Sequence, residues 1–215
     1  MKTMENHVTE LIQAVEKADT SEGLLDAVKA LCAVHHQAAI PTLIEILKYN
    51  NPGAAVAAVD GLIEMGEIAV SPILEQVDGY NYGARAWATR ALAGIGDPRA
   101  LELLLDAALN DFSLSVRRAA AKGLGSIRWD KMRSDEDAQT AQKDVLNALI
   151  KVSHDPEWVV RYAAVVGLEN FAISTKGTFE LNQIFERFHE MKASEPEQVI
   201  CARIQLAESV LNFSS

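Results

Sequence analysis

The chain is 215 residues long, 49% apolar and 23% charged, and its 20 Lys and Arg against 30 Asp and Glu leave a net charge of −10. That acidic balance argues against a nucleic-acid protein, whose affinity comes mainly from neutralising phosphates, and the length supports a sizeable core without staples. Two cysteines, Cys32 and Cys201, each inside an apolar helical pattern, suggest neither a disulfide framework nor a Cys-rich zinc site and fit a reducing compartment. The N-terminal "MKTMENHVTE" lacks a signal-peptide apolar run, and no stretch approaches the roughly 20 apolar residues that span a bilayer. The expectation is a soluble cytoplasmic protein with no nucleic-acid or membrane partner.

Apolar periodicity predicts six helix–turn–helix pairs in chain order: 4–18 with 21–34, 38–48 with 52–65, 69–78 with 81–95, 98–110 with 113–127, 139–153 with 156–171, and 178–193 with 196–212. Turns such as "YNNPG", "DGYN", "LNDFS" and "SHDPE" supply caps before each second helix. "VHHQ" (34–37) falls in the first inter-pair turn. Its adjacent histidines lack the i, i+4 spacing and further ligands of a metal site, so no metal is expected. "RWDKMRSDEDAQTAQ" (128–142) is charged and poor in apolar residues, which predicts an exposed insertion over about 128–139.

The second helices repeat. Leu31, Leu62, Leu92, Leu124, Leu168 and Leu206 align, at spacings of 31, 30, 32, 44 and 38 residues, and four residues earlier stand Ala27, Ala58, Ala88, Ala120 and Ala164. Small residues let neighbouring helices approach while leucine fills the gap between them. Arg85, Arg117 and Arg161 recur seven residues before the leucine. Each is expected to reach an aspartate (Asp78, Asp111 or Asp155) in the turn before its own helix. Such pairs bury their apolar face only by stacking, so the prediction is an all-α, crescent-shaped α-solenoid of about six pairs forming one domain, 1–215. "GIGDP" breaks one helix and starts the next; no strand precedes it, which excludes a phosphate loop.

"RALAGIGDPRALELLL" (90–105) and "VRRAAAKGLGSI" (116–127) resemble HEAT repeats of the phycobilisome-lyase variety. The run from Asp78 to Trp129 and the acidic insertion after it resemble the smaller, F-type subunits of the E/F phycocyanobilin lyases. That resemblance implies an E-type partner subunit in a heterodimer, phycocyanobilin as substrate rather than cofactor, and thioether attachment to a cysteine of the phycocyanin alpha subunit. It does not name catalytic residues. A related branch couples attachment to isomerisation through an Asn-His-Cys-Gln-Gly type run, which is absent here. The alternative is a noncatalytic scaffold or bilin-binding factor on the same repeats.

In such a solenoid the second helices line the concave surface. Tyr80, Tyr82, Trp87, Trp158 and Tyr162 fall on or beside the middle three of them and suit a flat conjugated ligand, with wedging between repeats as the alternative. Arg90 and Lys122, two residues before the shared leucine, and Arg118, six before it, are expected to face solvent and to pair with propionates. Asp60 shares the Arg90 position and is the candidate carboxylate for protonating the pigment. Phe179, Phe185 and Phe188 read as core filling, or else as an apolar docking patch.

Overall fold

The computed structural model describes residues 2–76, 81–175 and 181–213. Among them are twelve α-helices and no strand: α1 (Lys2–Lys17), α2 (Ser21–Cys32), α3 (Ile40–Ile46), α4 (Pro52–Met65), α5 (Glu67–Gln76), α6 (Tyr82–Ile95), α7 (Leu101–Asn110), α8 (Leu114–Leu124), α9 (Asp135–Val152), α10 (Trp158–Ser174), α11 (Leu181–Ser194) and α12 (Gln198–Phe213). They form the six predicted pairs. The chain divides into two compact units, Met1–Ile95 and Gly96–Ser215, with three pairs in each. The expectation of one domain, 1–215, rested on the repeat period, which does not by itself mark where compact units divide.

Local chemistry sets the helix ends. Thr20, Asn51 and Ser134 cap α2, α4 and α9 by accepting from Gly23, Ala54 and Asp137 amides, and Asn81 does the same for Ala84 at the start of α6. Gly66 closes α4 at φ +64, a conformation that a side chain would strain. The insertion is more ordered than its charge suggests. Ser134 starts α9 at Asp135, whose first-turn acids Asp135, Glu136 and Asp137 favour the helix N-terminus, so 125–134 connects the helices. Even there Trp129 is fixed: its indole donates to Ser174 Oγ at 3.0 Å and its ring meets Phe171 edge-on at 6.1 Å.

In unit 1 the second helices α2, α4 and α6 pack in succession, and in unit 2 α8, α10 and α12 do. Leu31, Leu62, Leu92, Leu124 and Leu168 are all 0% exposed. Close approach depends on the residue before the leucine: a Cβ on Gly61 would sit 2.3 Å from Cys32 Sγ, and one on Gly167 would sit 2.4 Å from the Ala121 carbonyl oxygen. Leu206 does not belong to this set, being 54% exposed. The buried residues of α12 (Ile200, Ile204, Ala207, Leu211) match Val160, Ala164, Gly167 and Phe171 of α10, which puts Glu208 at the leucine position and Leu206 two residues before it.

The recurrent arginines also differ from expectation. Arg117 donates from Nε and Nη2 to the carboxylate of Asp155 at 2.7 and 3.1 Å, in the turn of the next pair, while its Nη1 reaches the Asp111 and Phe112 carbonyls of its own turn at 3.0 Å. Arg161 repeats this with Glu195 ahead (2.8 and 2.7 Å) and the Asp155 and Pro156 carbonyls behind (3.0 Å). Each carboxylate also accepts an amide two residues on, from Glu157 and Glu197. The side chain is too long for the carboxylate of its own turn once it bonds that turn's carbonyls, so the charge reaches forward and ties successive repeats. Arg85 is buried, and Asp78 lies outside the described residues.

Candidate functional site

With their buried faces interlocked, the second helices each retain one free face, a column at i, i+4 steps. In unit 1, α4 shows Val56 and Asp60, and α6 shows Tyr82, Ala86 and Arg90. In unit 2, α8 shows Leu114, Arg118 and Lys122, α10 shows Trp158, Tyr162 and Val166, and α12 shows Ala202 and Leu206. All are exposed or half-buried. The repeat register therefore gathers Asp60 with Tyr82, Trp87 and Arg90 in unit 1, and Arg118 and Lys122 with Trp158 and Tyr162 in unit 2. Tyr80 lies outside the described residues.

Arg118 and Asp60 are exposed and make no ion pair among the described residues. Arg90 is exposed too, and the Trp87 ring lies 5.6 Å from its guanidinium carbon, a stacking that keeps a cation poised beside an aromatic surface. Tyr82 is 61% exposed and Trp158 44%. Large rings held in water at the N-terminal ends of α6 and α10 fit contact with a ligand better than wedging between repeats. The turn before Trp158 is held twice, by Arg117 on the Asp155 carboxylate and by Arg161 on the Asp155 and Pro156 carbonyls, so that ring starts from a fixed backbone.

The ladder charges behave as structural ones. The Arg161 guanidinium holds the Glu195 carboxyl below its ordinary value of 4.5, against the opposing effect of burial. Arg99 likewise lowers Asp97, which caps the turn into α7. Glu169 on α10 is buried and paired with Arg203 on α12.

Other sequence candidates are structural. Burial, with Glu64 and Asp60 nearby, pushes the Cys32 thiol up to about 11, the opposite of a poised nucleophile. Cys201 is half-buried and unpaired. His35 bonds Glu64 at 2.9 Å and His36 accepts from the Ala38 amide, and no metal-binding cluster occurs among the described residues. Phe188 is fully buried and Phe185 half-buried, which favours core filling over a docking patch; Phe179 lies outside the described residues. Sequence reasoning missed Val166 and Leu206, since alignment on leucine alone placed Leu206 in the core. Alignment on the whole buried set finds both.

Residues 70–169 match the HEAT repeats family. The chain is 55% identical over 198 residues to a phycocyanin alpha phycocyanobilin lyase, CpcF, of Synechocystis sp., covering 92% of this chain and 91% of that one. It is 51% identical over 201 residues to a phycocyanobilin lyase subunit beta of Nostoc sp., covering 93% and 98%. Among solved structures, the complex of CpcE and CpcF of phycocyanin lyase from Nostoc sp. PCC7120 contains a chain that superposes with a TM-score of 0.75 at 51% identity, over 80% of this chain and 99% of that one. A designed armadillo repeat protein, 18% identical with a TM-score of 0.57, shares the helical-repeat fold alone.

Proposed function

The chain belongs to the family of phycocyanobilin lyase beta subunits, the F-type chains of the E/F lyases, and from that premise we propose how it works. It is one subunit of a heterodimeric bilin lyase that, with an E-type partner, attaches phycocyanobilin to a cysteine of the phycocyanin alpha subunit. The acceptor supplies the thiol. Its sulfur bonds to an electrophilic vinylic carbon of the pigment as that double bond is consumed, and the thiol proton ends on the pigment, so no cofactor is required. The lyase holds the pigment extended and oriented, which lowers the barrier by proximity and fixes the face attacked. Two unpaired cysteines and phycobilisome-maturation relatives support work in the cytoplasm. No described helix is long and apolar enough to cross a membrane.

The observation that carries this reading is the contrast on the second helices: charges that hold the fold are paired and largely buried, whereas Arg90 stands exposed against the Trp87 ring and Arg118 stands exposed with no ion pair among the described residues. Guanidinium groups pair carboxylates bidentately, and a bilin carries two propionates. Arg118 and Lys122 with Trp158 and Tyr162 are the candidate contacts in unit 2, and Arg90 with Trp87 and Tyr82 are a separate candidate set in unit 1, to which Tyr80 is added on sequence grounds. Asp60, exposed at the repeat position of Arg90, is assigned the proton exchange with the pyrrole system.

The test is reconstitution with one component omitted. In cells making phycocyanobilin, this chain, the E-type subunit and the phycocyanin alpha chain together give a covalent fluorescent adduct, and leaving out this chain abolishes it. If no adduct forms while the chain still binds phycocyanin, a noncatalytic scaffold is the correct description.

A further inference from the structure

The free face of α10 lacks the charge of an ordinary solvent face. Trp158, Tyr162, Val166, Asn170 and Ile173 follow one another at steps of four and three, and each is half-buried or exposed rather than core. The helix does own two charged side chains beyond that column, but Arg161 is spent on Glu195 and Glu169 on Arg203. Amphipathic surface helices place charged residues where α10 places rings and alkyl groups.

Its two neighbours give this face a direction. On one side α8 contributes Arg118 and Lys122. On the other, α12 contributes Ala202 and Leu206, at the repeat positions of Tyr162 and Val166. The two charged side chains of α12 point away from the column as well, Arg203 to Glu169 and Glu208 to Lys192. Across unit 2 the surface therefore runs from cationic on α8 to aromatic and aliphatic on α10 to aliphatic on α12.

Resting on the reading that this chain binds phycocyanobilin, we propose that unit 2 fixes the direction in which the pigment lies: Arg118 and Lys122 take the propionates, and Tyr162, Val166 and Leu206 carry a terminal pyrrole ring. A linear tetrapyrrole bears both propionates on its two inner rings, whereas its outer rings end in alkyl and lactam groups. Packed helices stand about 9 Å apart, so the groove between α10 and α12 is one helix spacing from the groove between α8 and α10. Inner rings over the second groove and an outer ring over the first match charge to charge and alkyl to alkyl. Leu206 is thereby a binding residue, with no catalytic contact of its own.

The experiment titrates the heterodimer, this chain with its E-type partner, with phycocyanobilin and with its dimethyl ester, following the absorbance shift. Leu206→Glu is expected to weaken both ligands by about tenfold or more, with Leu206→Gln intermediate. Arg118→Gln weakens the free acid by about tenfold and leaves the ester nearly unchanged. Unaltered binding of both ligands by Leu206→Glu overturns the placement and leaves the lyase reading intact. Loss of the heterodimer on gel filtration by Leu206→Glu, with folding retained by circular dichroism, overturns it in favour of protein docking. Failure of the unmodified heterodimer to bind either ligand overturns the lyase reading and the placement together.

Discussion

Arg117 and Arg118 are adjacent in sequence and belong to two different regions of unit 2. One helical step turns Arg117 toward the turns, where its guanidinium bonds Asp155 ahead and two carbonyls behind; the same step leaves Arg118 on the free face with no ion pair among the described residues. Arginine recurs at the first position, as Arg85, Arg117 and Arg161, and the last two make the same tie to the next repeat. The second position holds Val56, Ala86, Arg118, Tyr162 and Ala202 in successive second helices. In this chain repetition marks scaffold, and departure from repetition marks the surface we propose for the pigment.

Removing a ladder group should have the largest effect. Glu195→Ala strands the Arg161 guanidinium in a pair whose side chains are 15% and 4% exposed, at a cost of about 3 kcal/mol in urea unfolding. Pigment affinity of the fraction still folded should stay near normal. A somewhat smaller loss, about 2 kcal/mol, is expected for Gly167→Ala, whose new Cβ would sit 2.4 Å from the Ala121 backbone oxygen.

Acid should erase part of the ladder's contribution. The folded-state pKa values of Glu195 and Asp97 lie below their ordinary 4.5 and 3.8, so their stabilisation is complete above those values and is lost as pH falls through the folded ones. Glu195→Gln is therefore less stable than the parent at pH 7. The gap should narrow in urea titrations as pH falls below about 4.5; a gap that stays constant down to pH 3 would contradict the assigned pairing.

The smallest stability effect is predicted on the free face. Arg118→Gln should change unfolding free energy by no more than about 0.5 kcal/mol. It separates the two regions cleanly, because its loss appears in ligand binding alone. Lys122→Gln should follow the same pattern more weakly, since an ammonium lacks the bidentate fork.

Most of the fold was legible in the residues. Thr20, Asn51 and Asn81 cap where apolar periods begin, and Gly66 and the "GIGDP" turn stop helices where the pattern breaks. The insertion was misread because its acids were weighed as charge; Ser134 followed by Asp135, Glu136 and Asp137 is also a helix start. The forward reach of Arg117 and Arg161 was not legible, since the choice between an aspartate in one's own turn and an acid in the next repeat is decided by packing. Of the proposed site, the sequence offered the cations and aromatics by repeat position, and the structure leaves those that it describes exposed or half-buried. The sequence hid Leu206, because a leucine near the expected spacing looks like core until the burial of Ile200, Ile204 and Ala207 resets the register.

The account stands most directly on the difference between those neighbouring arginines. Equilibrium titration of the heterodimer with phycocyanobilin, with Arg118→Gln and Lys122→Gln combined and set against the parent at equal thermal stability, measures it. A loss of pigment affinity of about tenfold or more with unchanged unfolding is the predicted result. Parent-like affinity in the doubly substituted protein would contradict the claim that the free face of unit 2 holds the pigment.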